Sequence, residues 1–298
     1  MPRRPLALRW GADDIDMPLV GSVVVLVLLG TLAVFGAGSF QDGTTGMHHY
    51  LVRHLQRLGI GLALAVVLAL LDHVFYRRPW IVYPALAVGL GLTAVPALAN
   101  GLGIDRWIEI PGLGQFQPIE LAKLALVLFL AYRFSAGSFA RPLAGRHLAL
   151  TLLLGPGLLV LLLALQPNFG NVVVMSLVTV LMLLLAGLRW RWLAAAAPAA
   201  VAAGVVGYRL VSKLHMRVDE WWAGWHGVGL DGEPPFGYQV YQSLLGMGAG
   251  GWHGLGPGRS HNKFAFLPES HTDFALSFLG EELGLLAVVT TSGLPLLS

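Results

Sequence analysis

The chain has 298 residues, of which 56% are hydrophobic and only 12% are charged, and its mean hydropathy is +0.69. So much apolar surface could not be buried in one water-soluble globule of this length, and the absence of cysteine excludes disulfides, thiolate metal sites and cysteine nucleophiles. The net charge of +3 comes from basic residues scattered between apolar runs, which argues against a nucleic-acid-binding patch and indicates a topology signal.

Eight apolar runs have about the 20 residues that a bilayer core requires. The predicted spans are 17–35, 55–71, 80–98, 118–134, 147–165, 171–188, 192–211 and 274–297. They predict an all-α fold, a polytopic bundle of transmembrane helices in a single membrane domain. A long segment, 212–273, lies between the seventh and eighth spans, and it is the polar, glycine-rich part of the chain.

Arginines predict the orientation of the bundle. With the N-terminus in the cytoplasm, the inner segments up to the seventh span contain ten arginines and the short outer loops contain three. This bias favours a cytoplasmic N-terminus. The segment 212–273 is then extracytoplasmic, and we expect any chemistry to occur on that side of the membrane.

A first polar group surrounds the start of the fourth span. Arg106 and Gln117 precede Pro118, which suits the first turn of a helix. Glu120 and Lys123 follow one turn apart on the same face. An ionised pair in a membrane helix is costly unless it faces the bundle interior. Two interpretations remain open: an internal ion pair that fixes helix packing, or a pair that reaches or gates an active cavity.

The turn at 165–170 contains proline, asparagine and glycine, which is typical of a structural turn. Glycines recur through 246–258, and such a run can let the backbone approach a phosphate. A nucleotide-binding phosphate loop is not indicated, because His253 stands where the motif needs glycine. The histidines show no regular ligand spacing, so the sequence leaves any metal site unknown.

Asp273 stands where the outer segment enters the eighth span. Partial desolvation raises the pKa of a carboxyl, and a general base works best with a pKa near the operating pH. Aspartate is also an ordinary helix cap, so position alone leaves base and cap equally open. Glu281 and Glu282 are interpreted as complements of the dipole at the start of the last span.

These residues resemble the SEDS family (shape, elongation, division and sporulation), typified by FtsW and RodA. The matching motifs occur in the same order as in the family and are spread across nearly the whole chain. The matching pieces are Arg106-Trp107, Gln117-Pro118-x-Glu120-x-x-Lys123, Gln166-Pro167, Gly237-Tyr-Gln, Gln242-Ser243, Gly248, Gly250-Gly251, Gly254-x-Gly-x-Gly-x-Ser260-x-x-Lys263, Leu267-Pro-Glu-x-His-Thr-Asp-Phe274 and Gly280-Glu-Glu-Leu-Gly284. The Gly254–Lys263 piece resembles the division branch, whereas Arg189-Trp-Arg-Trp192 is closer to the elongation branch.

The resemblance implies a glycosyltransferase that polymerises lipid II into glycan strands at the outer face of the cytoplasmic membrane and releases undecaprenyl pyrophosphate. The essential aspartate of the family falls on Asp273, which favours the base over the cap. Cationic support for the pyrophosphate is expected from nearby residues. The residues expected to bind the substrate or its pyrophosphate are Arg259, Ser260, Lys263, Glu269 and His271, and those expected to line or gate the cavity are Arg106, Gln117, Glu120 and Lys123.

No permanently bound cofactor is expected, although a Mg²⁺ or Mn²⁺ ion bridging pyrophosphate oxygens would serve the same purpose as the cations. The resemblance implies as partners the lipid II substrate, membrane lipid and a class B penicillin-binding protein, which is a membrane-anchored transpeptidase. Nucleic acid is not expected. Two other functions remain open: a transporter that flips lipid II across the membrane, and a non-catalytic scaffold.

The chain departs from the family pattern at three polar positions. Asn168 and Asn171 stand where the family usually has aspartate and threonine, and Ile119 stands where it has serine. Any role that those polar groups have in the family therefore cannot be assigned to this chain. Family members usually have ten spans, so two helices are expected to be missing after the eighth, which leaves open a fragment, a frame change or an inactive form.

Overall fold

The computed structural model describes residues 16–38, 43–71, 73–99, 106–110, 114–135, 145–227, 234, 236–256, 259–260 and 274–293. The chain divides into two compact units, which are described separately. Unit 1 comprises Met1–Leu70 with Met216–Ser298, and unit 2 comprises Leu71–His215.

Helices make up almost all of the described structure. In chain order they are α1 (Met17–Gly38), α2 (Gly43–Leu70), α3 (His73–Tyr76), α4 (Pro79–Ala99), α5 (Pro118–Ser135), α6 (Gly145–Leu152), α7 (Leu158–Leu165), α8 (Phe169–Leu185), α9 (Trp190–Leu210), α10 (Ser212–Trp225), α11 (Tyr238–Gly250) and α12 (Ala275–Gly293). A π-helical segment, Leu153–Gly157, joins α6 to α7. Two short antiparallel strands, β1 (Ile108–Ile110) and β2 (Gly114–Phe116), precede α5.

The predicted all-α transmembrane fold is confirmed. Within the described residues, six helical stretches are long and apolar enough to cross a membrane: Met17–Gly36, Leu51–Leu70, Pro79–Leu98, Gly145–Leu165, Trp190–Leu210 and Ala275–Gly293. The other two predicted spans coincide with α5, which carries three charged side chains, and with α8, which has 17 residues. The total of eight spans therefore stays a prediction.

The segment 212–273 is not the continuous loop that the sequence predicts. Its described residues form α10 and α11, and α10 begins two residues after α9 ends. Glycine-rich, polar composition concealed α11, in which Gly246, Gly248 and Gly250 are helical. Glycine disfavours an isolated helix by about 1 kcal/mol relative to alanine, but packing can override that preference. The packing that does so is described below.

Unit 2 is held together by an apolar core between α4, α5, α7 and α8. Its fully buried side chains include Val82, Leu126, Leu130, Leu159, Leu163 and Met175. Gly89 lets α4 approach α5 closely, since a Cβ at this position would lie 3.0 Å from the Cα of Ala122. Small residues at such crossings allow helix backbones to pack in a membrane.

In unit 1, α1 packs against α12 around a smaller apolar cluster. Ala33, Phe278 and Leu279 are its buried members. The ring of Phe278 lies over Gly36, where any side chain would overlap the ring. This contact and the packing of α11 on α12 fix α12 as the central element of unit 1.

Candidate active site

The helix α12 is interrupted at Gly284, whose backbone angles are φ 81° and ψ −178°. In an unbroken helix the N–H groups of residues 285 and 286 would bond to the carbonyls four residues earlier, those of Glu281 and Glu282. Instead Leu285 N–H donates to the carbonyl oxygen of Gly251 (2.8 Å), and Leu286 N–H donates to that of Trp252 (3.5 Å). The break therefore does not leave these two donors unpaired.

The two carbonyls released by the break are paired in the same way. Leu255 N–H donates to the carbonyl oxygen of Glu281 (2.9 Å), and Gly256 N–H donates to that of Glu282 (3.0 Å). The segment 251–256, which follows α11, thus replaces the missing turn of α12 by exchanging four backbone hydrogen bonds with it. We call this segment the insert. Such exchange satisfies the requirement that every backbone polar group away from water be hydrogen bonded.

Glycine is needed on both sides of this exchange. Gly254 (φ 80°) and Gly284 (φ 81°) adopt conformations that side chains strongly disfavour. A Cβ on Gly254 would overlap the backbone of Glu282, and a Cβ on Gly250 would overlap the carbonyl oxygen of Gly280. The sequence had suggested that this glycine run could let the backbone approach a phosphate. In the described residues the close approach is to the backbone of α12.

Glu281 and Glu282 are buried, with exposed fractions of 1% and 4%. Their interpretation as dipole partners is wrong, because α12 begins at Ala275 and has no acidic residue in its first turn. The dipole effect fades within that first turn. Ser260 is itself fully buried, and its hydroxyl donates to Oε2 of Glu281 at 2.5 Å. Two adjacent carboxylates between Gly280 and Gly284 were the sequence signal for this site.

Asp273, the predicted catalytic residue, belongs to the segment 261–273, which we call the catalytic segment, and the described residues on either side of this segment are bonded to α12. Its start follows Ser260, which is bonded to Glu281, and its end precedes Phe274, whose carbonyl accepts the N–H of Phe278 at 3.2 Å. Residues 274 and 281 are about 10 Å apart along a helix axis at 1.5 Å per residue. The predicted residues between these anchors lie outside the described residues: Lys263, Glu269, His271 and Asp273.

Of the predicted pyrophosphate-binding residues, Arg259 and Ser260 are described. Arg259 is exposed and available to a ligand, whereas Ser260 is buried and donates its hydroxyl proton to Glu281. No group of three or more His, Asp and Glu in the described ranges is placed to hold a metal ion. Metal support for the pyrophosphate therefore stays a prediction.

The predicted cavity or gating residues belong to unit 2. Arg106 Nη2 donates to the carbonyl oxygen of Pro167 at 2.6 Å, so it fixes the turn between α7 and α8. The carbonyl of Gln117 accepts the N–H of Glu120 at 3.1 Å at the start of α5. Lys123 Nζ lies 2.7 Å from Glu120 Oε1, which confirms that the two side chains pair. Their side chains are 28% and 56% exposed, respectively, so this is not a fully buried pair.

Three side-chain amides surround the turn fixed by Arg106, and two of them, Gln166 and Asn168, are buried. Gln166 Nε2 donates to the carbonyl oxygen of Thr93 at 2.6 Å, which ties the turn to α4. Asn171 Nδ2 donates to Asn168 Oδ1 at 3.1 Å. Asn168 Nδ2 is buried without a hydrogen-bond partner in the described structure. A buried amide donor without a partner costs about 1–3 kcal/mol.

We expect Ser260→Ala to destabilise the protein by about 1–3 kcal/mol, because Glu281 would lose a hydrogen-bond donor while remaining buried. The matched control is Ser176→Ala, which removes an exposed hydroxyl bonded only to its own helix at Val172. Thermal unfolding of both variants measures the effect. Equal melting temperatures for the two variants would contradict a structural role for the Ser260–Glu281 bond.

Comparison with known proteins identifies relatives over nearly the whole chain. Residues 17–296 match the family model of the FtsW, RodA and SpoVE cell cycle proteins. A probable peptidoglycan glycosyltransferase FtsW from Alcanivorax borkumensis is 36% identical over 302 aligned residues, covering 97% of this chain and 74% of the relative. The corresponding protein of Trichlorobacter lovleyi is 32% identical over 310 aligned residues, covering 98% of this chain and 75% of the relative.

A solved structure is similar as well. It is described as a peptidoglycan synthase complex that coordinates polymerization and crosslinking, and the matching chain is 28% identical with a TM-score of 0.67. The match covers 95% of this chain and 76% of that chain. At this identity and TM-score the similarity extends beyond composition to the arrangement of the helices.

Proposed function

This chain belongs to the FtsW/RodA/SpoVE family of cell cycle proteins, and from that membership we propose that it is a peptidoglycan glycosyltransferase that polymerises lipid II. The observation that carries the proposal is the family match over residues 17–296, which includes the block ending in Asp273-Phe274. The relatives compared carry the name of the division branch, which favours a role in cell division over elongation.

The proposed reaction is a glycosyl transfer between two lipid-linked sugars. Asp273 takes the proton from the 4-hydroxyl of the acceptor GlcNAc, and that oxygen attacks the anomeric carbon of the donor MurNAc. The new bond joins the two sugars, and the bond from the anomeric carbon to the pyrophosphate oxygen breaks. Undecaprenyl pyrophosphate leaves with the bonding electrons, and the proton on Asp273 passes to solvent before the next cycle.

The leaving pyrophosphate gains negative charge, so cations near it lower the barrier. Lys263 and Arg259 are the proposed donors, and Arg259, three residues after the insert in the sequence, is exposed. A divalent cation, when present, would supply further charge neutralisation on the pyrophosphate oxygens. Glu269 and His271 are proposed to orient the sugars, on the strength of their place in the same block.

The described structure supports this mechanism through the anchoring of the catalytic segment. A general base must stay within hydrogen-bond reach of the proton it removes. The bond from Ser260 to Glu281 holds one end of the segment, and the start of α12 holds the other. We therefore propose that the insert and the broken helix form the rigid support on which Asp273 is presented.

The chain is a multi-pass membrane protein, and the arginine bias supports a cytoplasmic N-terminus. In that orientation the segment 212–273 is extracytoplasmic, on the side where the glycan strand would be made. This placement suits a polymerase better than a transporter. A translocation path is usually marked by ionisable groups along the spans, whereas here the spans carry few of them and the segment 212–273 carries many.

We propose a transpeptidase of the class B penicillin-binding type as the partner, since the similar solved structure is described as a complex that coordinates polymerization and crosslinking. Glu120 and Lys123 are candidates for coupling the binding of the transpeptidase to polymerisation. Their pair lies at the start of α5 and is partly exposed.

A charge swap tests this candidate role. We expect Glu120→Lys and Lys123→Glu each to lower polymerisation stimulated by the transpeptidase, because each single change brings two like charges together. The double variant should recover most of the stimulation, since it restores an opposite pair. A double variant as defective as both singles would contradict coupling through this pair.

The function is tested by giving the purified chain lipid II with and without a transpeptidase partner. Glycan polymer supports the glycosyltransferase. Movement of lipid II across a vesicle membrane without polymer would instead support the transporter. Binding of the transpeptidase with neither activity would support the scaffold.

A further inference from the structure

A cavity of about 290 Å³ opens in unit 2, where α4 begins, α5 ends and α6 begins. Its apolar wall is formed by Leu86, Phe129, Leu150 and Leu154. Leu150 and Leu154 are 41% and 56% exposed, so the cavity opens at an exposed apolar surface of the helices. This volume is at the lower end of the range for ligand pockets. It would accommodate a head group and the first part of a chain.

The polar wall of the cavity is formed by Arg133, His147 and Thr151. Arg133 Nε–H donates to Thr151 Oγ1 at 2.9 Å, and Thr151 O–H donates to the carbonyl oxygen of His147 at 2.8 Å. The guanidinium has five N–H donors, and this relay uses one of them. Thr151 is 4% exposed, so the relay holds the Arg133 side chain at the cavity from a buried position.

The charge around Arg133 is uncompensated within the described residues. Its side chain donates a hydrogen bond to the neutral hydroxyl of Thr151, and no described carboxylate lies within ion-pair distance of it. The sequence contains no aspartate or glutamate between Glu120 and Asp219. Glu120 is at the opposite end of α5, about 20 Å from Arg133 at 1.5 Å per residue.

The apolar wall also contains an irregular turn. Leu154 belongs to the π-helical segment, and Pro156 in that segment lacks the N–H that a regular helix would use. Gly155 lets the ring of Phe129 approach the segment, since a Cβ there would lie 2.6 Å from the ring. Single π turns in otherwise regular helices frequently occur at functional sites.

We propose that this cavity binds an anionic phospholipid, with the lipid phosphate on Arg133 and His147 and the beginning of an acyl chain along Leu150 and Leu154. Arginine matches a phosphate with paired N–H donors, and basic pockets between membrane helices are suited to anionic head groups. A lipid is favoured over a soluble anion because the apolar wall is continuous with the exposed face of the helix. In the proposed orientation, the site lies in the cytoplasmic leaflet.

The test is lipid retention by the purified, delipidated full chain, measured by native mass spectrometry during titration with phosphatidylglycerol or phosphatidylcholine. We expect the chain to bind one molecule of phosphatidylglycerol tightly and to bind phosphatidylcholine more weakly. Arg133→Gln should lower the affinity for phosphatidylglycerol about ten- to a hundredfold, as expected for the loss of hydrogen bonds to a charged group. The matched control is Arg146→Gln, which removes an exposed charge at the start of α6, next to His147 but outside the cavity wall.

Four results would overturn the proposal: unchanged retention in Arg133→Gln, equal losses in Arg133→Gln and Arg146→Gln, equal retention of the two lipids by the unmutated chain, or displacement of the lipid by millimolar inorganic phosphate. The last result would indicate a soluble-anion site. If Arg133→Gln does not fold, Leu154→Trp serves instead, because it fills the mouth of the cavity without changing charge. Undiminished phosphatidylglycerol retention in that variant would also refute the site.

Discussion

Replacing Asp273 by asparagine is expected to lower the rate of glycan polymerisation by about 10²–10⁴-fold, the usual contribution of a positioned general base. The amide has nearly the shape of the carboxylate but cannot accept the proton from the acceptor hydroxyl. Lipid II binding should change little, since the sugars and the pyrophosphate are held by other groups. The measurement is single-turnover polymer formation beside an equilibrium binding titration of the same preparation.

The control for Asp273→Asn is Glu109→Gln, which makes the same carboxylate-to-amide change at an exposed position in β1. It should retain full polymerisation. If Asp273→Asn lost polymerisation and thermal stability together, the helix-capping role would be favoured over catalysis. If Asp273→Asn polymerised at the unmutated rate, the proposed base would be wrong whatever the stability of the protein.

The helical spans could be predicted from the sequence because the bilayer leaves a chain few choices. Apolar runs of about 20 residues must satisfy their own backbone hydrogen bonds, and a helix does so within the run. Each of the eight predicted spans overlaps a described helix. The early start of α2 at Gly43, twelve residues before the predicted 55, was missed because histidines and arginines extend the helix beyond its apolar part.

The site was harder to predict, because its main feature is an exchange of backbone bonds between two distant segments. Residues 251–256 carry no side-chain pattern that identifies α12 as their partner. Periodicity within α12 does not reveal the break either, since Leu283 and Leu285 continue the apolar pattern across Gly284. The burial of Glu281 follows from that exchange, so a reading limited to local sequence assigned it to the helix dipole.

The exchange of backbone hydrogen bonds between the insert and α12 predicts that two glycine-to-alanine substitutions in α11 differ in their effect on stability. Gly250→Ala should destabilise unit 1 relative to Gly248→Ala by about 1–3 kcal/mol, the usual cost of overpacking. A Cβ at 250 would meet the backbone of Gly280 and Glu281, which cannot rotate away, whereas nothing lies within 4 Å of a Cβ at 248. Both changes gain the same helix propensity, so that contribution cancels in the comparison.

Apparent melting temperatures of the two variants in the same detergent measure this difference, which corresponds to about 2–12 °C at 2–4 °C per kcal/mol. Equal melting temperatures would show that α11 and α12 are not in close backbone contact. Gly254→Ala should be at least as damaging as Gly250→Ala, because it adds a disfavoured positive φ to an overlap with Glu282.

Polymerisation by the Gly250→Ala variant then shows whether the contact between α11 and α12 positions the catalytic segment or only stabilises unit 1. Pushing α11 from α12 would shift the insert and, through Ser260 and Glu281, the start of the segment that carries Asp273. We therefore expect polymerisation to fall more steeply than the folded fraction, since small displacements of a base cost much of its rate. Activity that declined only in proportion to the folded protein would mean that the broken helix stabilises unit 1 without positioning the catalytic segment.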